Sequence, residues 1–193
     1  MNSFCVSQDT SLSYVKINLM IIRKYLSGHQ ATLFRDMVFA ADDGLITTFA
    51  IVAGATGAAF SSEVAVVLGL ANIFGDALSL ASGVYLGIKS ELESSKGENS
   101  LQKIEGSPFK HGLVTFFSFA LFGFIPLIPF LFDLPHKFII TTVIVGLSLI
   151  GIGILKSVYS AKSMFASALE VLLIGGFAAT IAYFVGTFAE TLF

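Results

Sequence analysis

Long apolar stretches alternate with short polar breaks through most of the chain, and that alternation predicts its elements. Hydrophobic runs cover residues 37–60, 64–88, 112–132, 138–156 and 165–188. Each meets or approaches the ~20 residues a helix needs to cross roughly 30 Å of hydrocarbon. The breaks SSE at 61–63, DLPHK at 133–137 and KSVYSAKS at 156–163 are short, whereas KSELESSKGENSLQKIEGSPFKH at 89–111 is long and polar. SYVKINLMIIRKYL at 13–26 is too short and too charged to span. It reads as an amphipathic helix lying at the interface, with Lys16, Arg23 and Lys24 among its polar residues. The expected fold class is an all-α membrane protein. A tail with an interfacial helix (1–34) precedes a domain of five transmembrane helices (35–193), with one cytoplasmic loop at 89–111.

Composition agrees with this pattern. Charged residues make up 12% of the chain, about half the share of a soluble domain. No basic stripe exists to grip phosphates, so nucleic acid is not an expected partner. The single cysteine, Cys5, excludes an intrachain disulfide and a cysteine-based metal cluster. The polar opening MNSFCVSQDTS lacks the basic region and cleavage site of a secretory leader, so no cleaved signal peptide is expected.

The charges also orient the chain. Lys16, Arg23, Lys24 and Arg35 precede the first span, Lys89, Lys96, Lys103 and Lys110 fall in the long loop, and Lys156 and Lys162 in the last break. With five spans these share one face, and of the 11 Lys and Arg only Lys137 lies opposite. The positive-inside rule then places the N-terminus in the cytoplasm and the C-terminus outside or in a lumen.

Four acids fall within or at the edges of the spans: Asp42, Asp43, Asp76 and Glu170. A carboxylate at mid-membrane costs at least ~2.5–3.5 kcal/mol, and no Lys or Arg lies inside a span to offset it. A cation in transit or a proton is the natural partner, and hard divalent ions take oxygen ligands. Asp43 lies about 9 Å below the cytoplasmic surface at 1.5 Å per residue, and shares a helix face with Thr47. Asn72, Asp76 and Leu80 form one stripe on the second span, with Ser79 and Gly83 beside it. Two such stripes facing each other would make an oxygen-lined path. GATG at 54–57, ANIFG at 71–75 and GVYLG at 83–87 contain small-residue spacings that let helices approach. Pro126 and Pro129 predict a kink or an end in the third span.

Plainer readings stand beside these. Asp42 also reads as an interfacial carboxylate touching water, since it sits about 100° from Asp43 around the helix. Glu170 also reads as snorkelling or pairing with Lys162 or Lys156. Met37 is a possible soft ligand near Asp43 or a core residue. His29, His111 and His136 stand apart in sequence and form no ligand pattern.

DGLITTFAIVAGATGA followed by GLANIFGDALSLASGVYLGIKSE, then IPLIPF and SALEVLLIGGFAATIAYFVG, resembles the vacuolar iron transporter family from about residue 35 to residue 188. The resemblance implies a five-helix homodimer that exports Fe²⁺ or Mn²⁺ from the cytosol in exchange for protons, with Asp43 on the pathway. The ion is cargo, and no permanently bound cofactor is expected. The membrane would be a bacterial inner membrane or a vacuolar one. Plant members carry Glu where this chain has Asn72 and Met where it has Leu80. Asn72 with Asp76 resembles the bacterial variant, and Leu80 removes the thioether that would favour the softer ion. Plant members also insert a glutamate-rich domain in the loop. Here Glu91, Glu93, Glu98 and Glu105 alternate with lysines in a short connector.

These residues define an expected path: Asp43 accepts the ion, assisted by Glu170 and Asp42; Asp76 and Asn72 pass it outward; Thr47 and Ser79 line the way. A carboxylate in hydrocarbon that has lost its cation readily takes up a proton, which would couple the two fluxes. The alternative is a non-transporting membrane protein whose acids bind metal or set helix packing. An intramembrane enzyme is disfavoured, because the spans hold neither a His-rich di-metal pattern nor a convincing nucleophile–base pair.

Overall fold

The structure is a computed structural model that describes residues 29–94, 107–132, 134–160 and 162–192. Five helices in it are long and apolar enough to cross a membrane. They are α1 (His29–Gly57), α2 (Ser62–Ser94), α3 (Pro108–Gly123), α4 (Lys137–Lys156) and α5 (Met164–Glu190). The expected interfacial helix at 13–26 and the loop residues Lys96, Glu98, Lys103 and Glu105 lie outside the described residues.

The helices outrun the apolar runs that announced them. α1 starts well before residue 37, taking in Arg35 and Asp36, and α2 continues through the polar KSELES to Ser94. Backbone hydrogen bonding propagates a helix past the point where its side chains turn polar. The third span does break at its prolines. α3 stops at Gly123, a 3₁₀ turn covers Ile125–Leu127, and a last helical turn Ile128–Leu131 completes the crossing. Proline donates no N–H, so carbonyls are released there. The Pro126 carbonyl accepts from the Thr141 hydroxyl of α4 at 3.4 Å.

α1 is the central post of the bundle. One side, with Val38, Ala41, Leu45, Phe49 and Ala53, packs on Val145, Leu149 and Ile152 of α4 and Val171 and Ala179 of α5. Its other side meets α2 and α3: Ala40 with Ala77 and Phe119, and Val52 with Ile73 and Leu127. Glycine sets two of these crossings. A Cβ on Gly44 would strike the Phe119 carbonyl of α3, and one on Gly186 of α5 would strike the Gly54 carbonyl of α1. The GATG spacing is thus used inside the chain. The glycines of the ANIFG and GVYLG stretches are not: Gly75, Gly83 and Gly87 have open space where a Cβ would stand.

Candidate functional site

The two neighbouring acids of α1 are turned to different sides of the helix. Asp43 is half-buried, and the charge of Asp76 on α2 acts on it. Thr47, one turn further, donates its hydroxyl to the Asp43 carbonyl oxygen at 2.8 Å. Its lone pairs stay on the Asp43 face. Asp42 has Lys156, at the end of α4, as its main charged neighbour. Its Oδ1 is buried without a hydrogen-bond partner. Asp42 is thus half-buried and lies toward the α4 end of the bundle. The nearby Tyr159 phenol, beyond the end of α4, is pushed above its usual range by partial burial and by the Asp42 charge, against the opposing pull of Arg35.

On α2, Ile73, Ala77 and Ala81 turn inward, and this rotation sets the direction of the polar stripe. Asp76 and Ser79 are exposed, Asn72 and Leu80 half-buried, and the Asn72 Nδ2 is buried with no hydrogen-bond partner. The structure thus brings Asp43 of α1 and Asp76 of α2 within electrostatic reach of each other, with Thr47 one turn from Asp43 and Asn72 one turn from Asp76. An exposed carboxylate in the middle of a 33-residue apolar helix would cost at least ~2.5–3.5 kcal/mol against lipid. Among the described residues, no three His, Cys, Asp or Glu side chains of the chain converge on one point.

Glu170 does not join Asp43 and Asp76. Its Oε2 accepts from Lys162 Nζ at 2.6 Å and its Oε1 lies 3.5 Å from Lys156 Nζ, the pairing that stood as its plainer reading. Lys156 therefore stands between two acids, Asp42 on α1 and Glu170 on α5. The absence of basic partners expected inside the spans does not hold at this end, because Lys156 closes the fourth span from its last turn. Met37 packs on the core beside Val38 and Ala41.

One buried pair escaped the sequence reading. His111, 1% exposed, places Nδ1 2.6 Å from Asp36 Oδ2, and Asp36 Oδ1 accepts from Arg35 at 3.2 Å. The pair ties the start of α1 to the start of α3. Asp36 lies seven residues before Asp43, on the same face of α1. The signal available in the sequence was that i, i+7 spacing, hidden because Asp36 fell just outside the apolar run.

Five helices long and apolar enough to cross a membrane, with acids on two neighbouring ones, define a multi-pass membrane protein. The chain belongs to the VIT family, whose model matches residues 34–106 and 98–187. It is 24% identical over 221 residues to the "Vacuolar iron transporter" of Toxoplasma gondii, covering 80% of this chain and 73% of that one. It is 25% identical over 207 residues to the protein of the same name in Centaurea cyanus, covering 77% and 84%. The "Vacuolar iron transporter homolog 3" of Arabidopsis thaliana is 26% identical over 164 residues, covering 80% and 82%. These relatives are named as transporters, not as enzymes.

Proposed function

We propose that this protein is a metal-ion transporter that exports Fe²⁺ or Mn²⁺ from the cytosol in exchange for protons, working as a homodimer. The observation that carries the reading is the exposed Asp76 at mid-span of α2, near enough to the half-buried Asp43 of α1 for the two charges to act on each other. Packing a second copy against this face would remove both acids from lipid, double the carboxylates available to one ion, and use the bare glycine stripe of α2 for close approach. Hard oxygen donors from Asp43, Asp76 and Asn72, with Thr47 and Ser79 beside them, suit a divalent first-row ion. In this reading Asp43 receives the ion and Asp76 with Asn72 passes it outward. Each carboxylate takes a proton as the ion leaves, because low-dielectric surroundings favour the neutral form.

Glu170 and Asp42 serve the cytoplasmic mouth in this scheme. With Lys156 and Lys162 they keep its charge balanced, and they attract ions without holding one between Asp43 and Asp76. The orientation is supported by the grouping of Arg35, Lys89, Lys110, Lys156 and Lys162 at one end of the bundle, with Lys137 beside Ser62 at the other. Only residues 95–107 separate α2 from α3, which supports a short, bacterial-type member without a metal-collecting insertion.

The test is transport in proteoliposomes under an imposed pH gradient, with Fe²⁺ and Mn²⁺ offered separately. Asp43→Ala and Asp76→Ala should each abolish metal flux and its coupled proton movement. Normal flux in both variants would overturn the reading. Altered oligomer state with unchanged cellular metal tolerance would favour the non-transporting alternative.

A further inference from the structure

On the side of α2 turned away from Asp76, an apolar groove of about 470 Å³ runs between α2 and the first half of α3. Its floor is the close crossing of the two helices, where a Cβ on Gly112 would come within 3.0 Å of the Ala81 carbonyl oxygen. Leu78, Tyr85 and Leu86 wall one side, and Phe109, Leu113 and Phe116 the other. The Ser82 hydroxyl inside it is bound to the Leu78 carbonyl at 2.7 Å, so it presents no free donor to a ligand.

Charge appears at one end only. Lys89 lies one turn beyond Tyr85 on the same face of α2, and Lys110 follows Phe109 on α3. Both are exposed, and neither is engaged in an ion pair among the described residues. Glu93 lies a further turn out toward water. Under the topology proposed above, this end meets the cytoplasmic surface, where basic side chains face anionic headgroups.

The occupant follows from the helix geometry. Tyr85 is nine residues from Asp76, so it points about 180° away from it at 100° per residue. A second copy docked along the Asp76 face therefore leaves this groove facing lipid. We infer that the groove binds an acyl chain of an anionic phospholipid, with Lys89 and Lys110 on its phosphate. The inference rests on the homodimer reading for the direction the groove faces.

Native mass spectrometry of the intact protein in mild detergent tests it, using phosphatidylglycerol and phosphatidylcholine with identical chains. The wild type should retain phosphatidylglycerol at several-fold higher occupancy. Lys89→Gln with Lys110→Gln should bring it down to the phosphatidylcholine level, and Ser82→Phe, which fills the groove, should remove both lipids. Equal occupancy of the two lipids in the wild type, or a preference that survives the double glutamine variant, overturns the proposal. So does dissociation of an oligomer by Ser82→Phe, which would mean that a second copy fills the groove. Gly83→Leu on the Asp76 face tests the dimer separately: a change of oligomer there with lipid occupancy intact upholds the site, and no change of oligomer removes the dimer reading and the direction it gives the groove, leaving the lipid occupancies above to decide the site.

Discussion

The two sides of α1 treat a buried acid in opposite ways. Toward α4 and α5, Asp42 has a tethered cation for company: Lys156, itself shared with Glu170. Toward α2, Asp43 faces another acid, Asp76, and no basic side chain among the described residues acts on it comparably. The first arrangement is electrically complete within the chain. Under the proposed function the second is completed by a mobile cation or a proton, and that difference would separate charge that holds a structure from charge that does work.

The largest expected effect would break this comparison outright. Asp76→Asn should reduce metal flux by at least the ~10–100-fold that loss of even an outer-shell partner costs a metal site, whereas Asp42→Asn should retain most of it. Equal losses in the two variants, measured side by side in proteoliposomes, would show that the two sides are not functionally distinct.

Next in size is the anchor between α1 and α3. His111→Ala leaves Asp36 Oδ2 without its partner while Oδ1 keeps Arg35, and should lower stability by about 1–3 kcal/mol, the cost of a buried acceptor left unsatisfied. Thermal unfolding in detergent reads this directly, and an unchanged midpoint would mean that the pair is not structural.

Glycine substitutions sharpen the same contrast between used and open faces. Gly44→Val drives its side chain into the Phe119 backbone, an overpacking of the kind that costs typically ~1–3 kcal/mol. Gly83→Val meets nothing within the chain and should leave the fold of one protomer intact while weakening self-association, as followed by light scattering. The smallest effect is expected for Lys162→Ala. Its side chain is 57% exposed, where water and salt screen the pairing with Glu170, so flux and unfolding midpoint should both stay near wild type.

Much of this was legible before any coordinates. A span is a local property, since twenty apolar residues must cross whatever surrounds them, so five crossings could be read from the hydrophobic runs. The Asp43–Thr47 and Asn72–Asp76 stripes were legible for a related reason: helical periodicity fixes which side chains share a face. The Asp36–His111 pair was not, because its partners are 75 positions apart and a hydropathy pattern holds no record of such a distance. The counter-ion of Asp42 stayed hidden likewise. Lys156 looked like a loop residue until the close packing of α1 against α4 brought its ammonium toward the acid.

The sequence by itself determined the helices, the acids they carry and the rotation between neighbouring side chains. It could state that Asp42 and Asp43 diverge by about 100°, but not where either one points. That was decided by tertiary packing. Ala41 and Leu45 seat α1 on α4 and α5 while Ala40 and Gly44 seat it on α2 and α3, and with both contacts made the helix has no freedom left to turn. Small and apolar side chains, chosen for fit, thus set which carboxylate meets a lysine and which meets another acid.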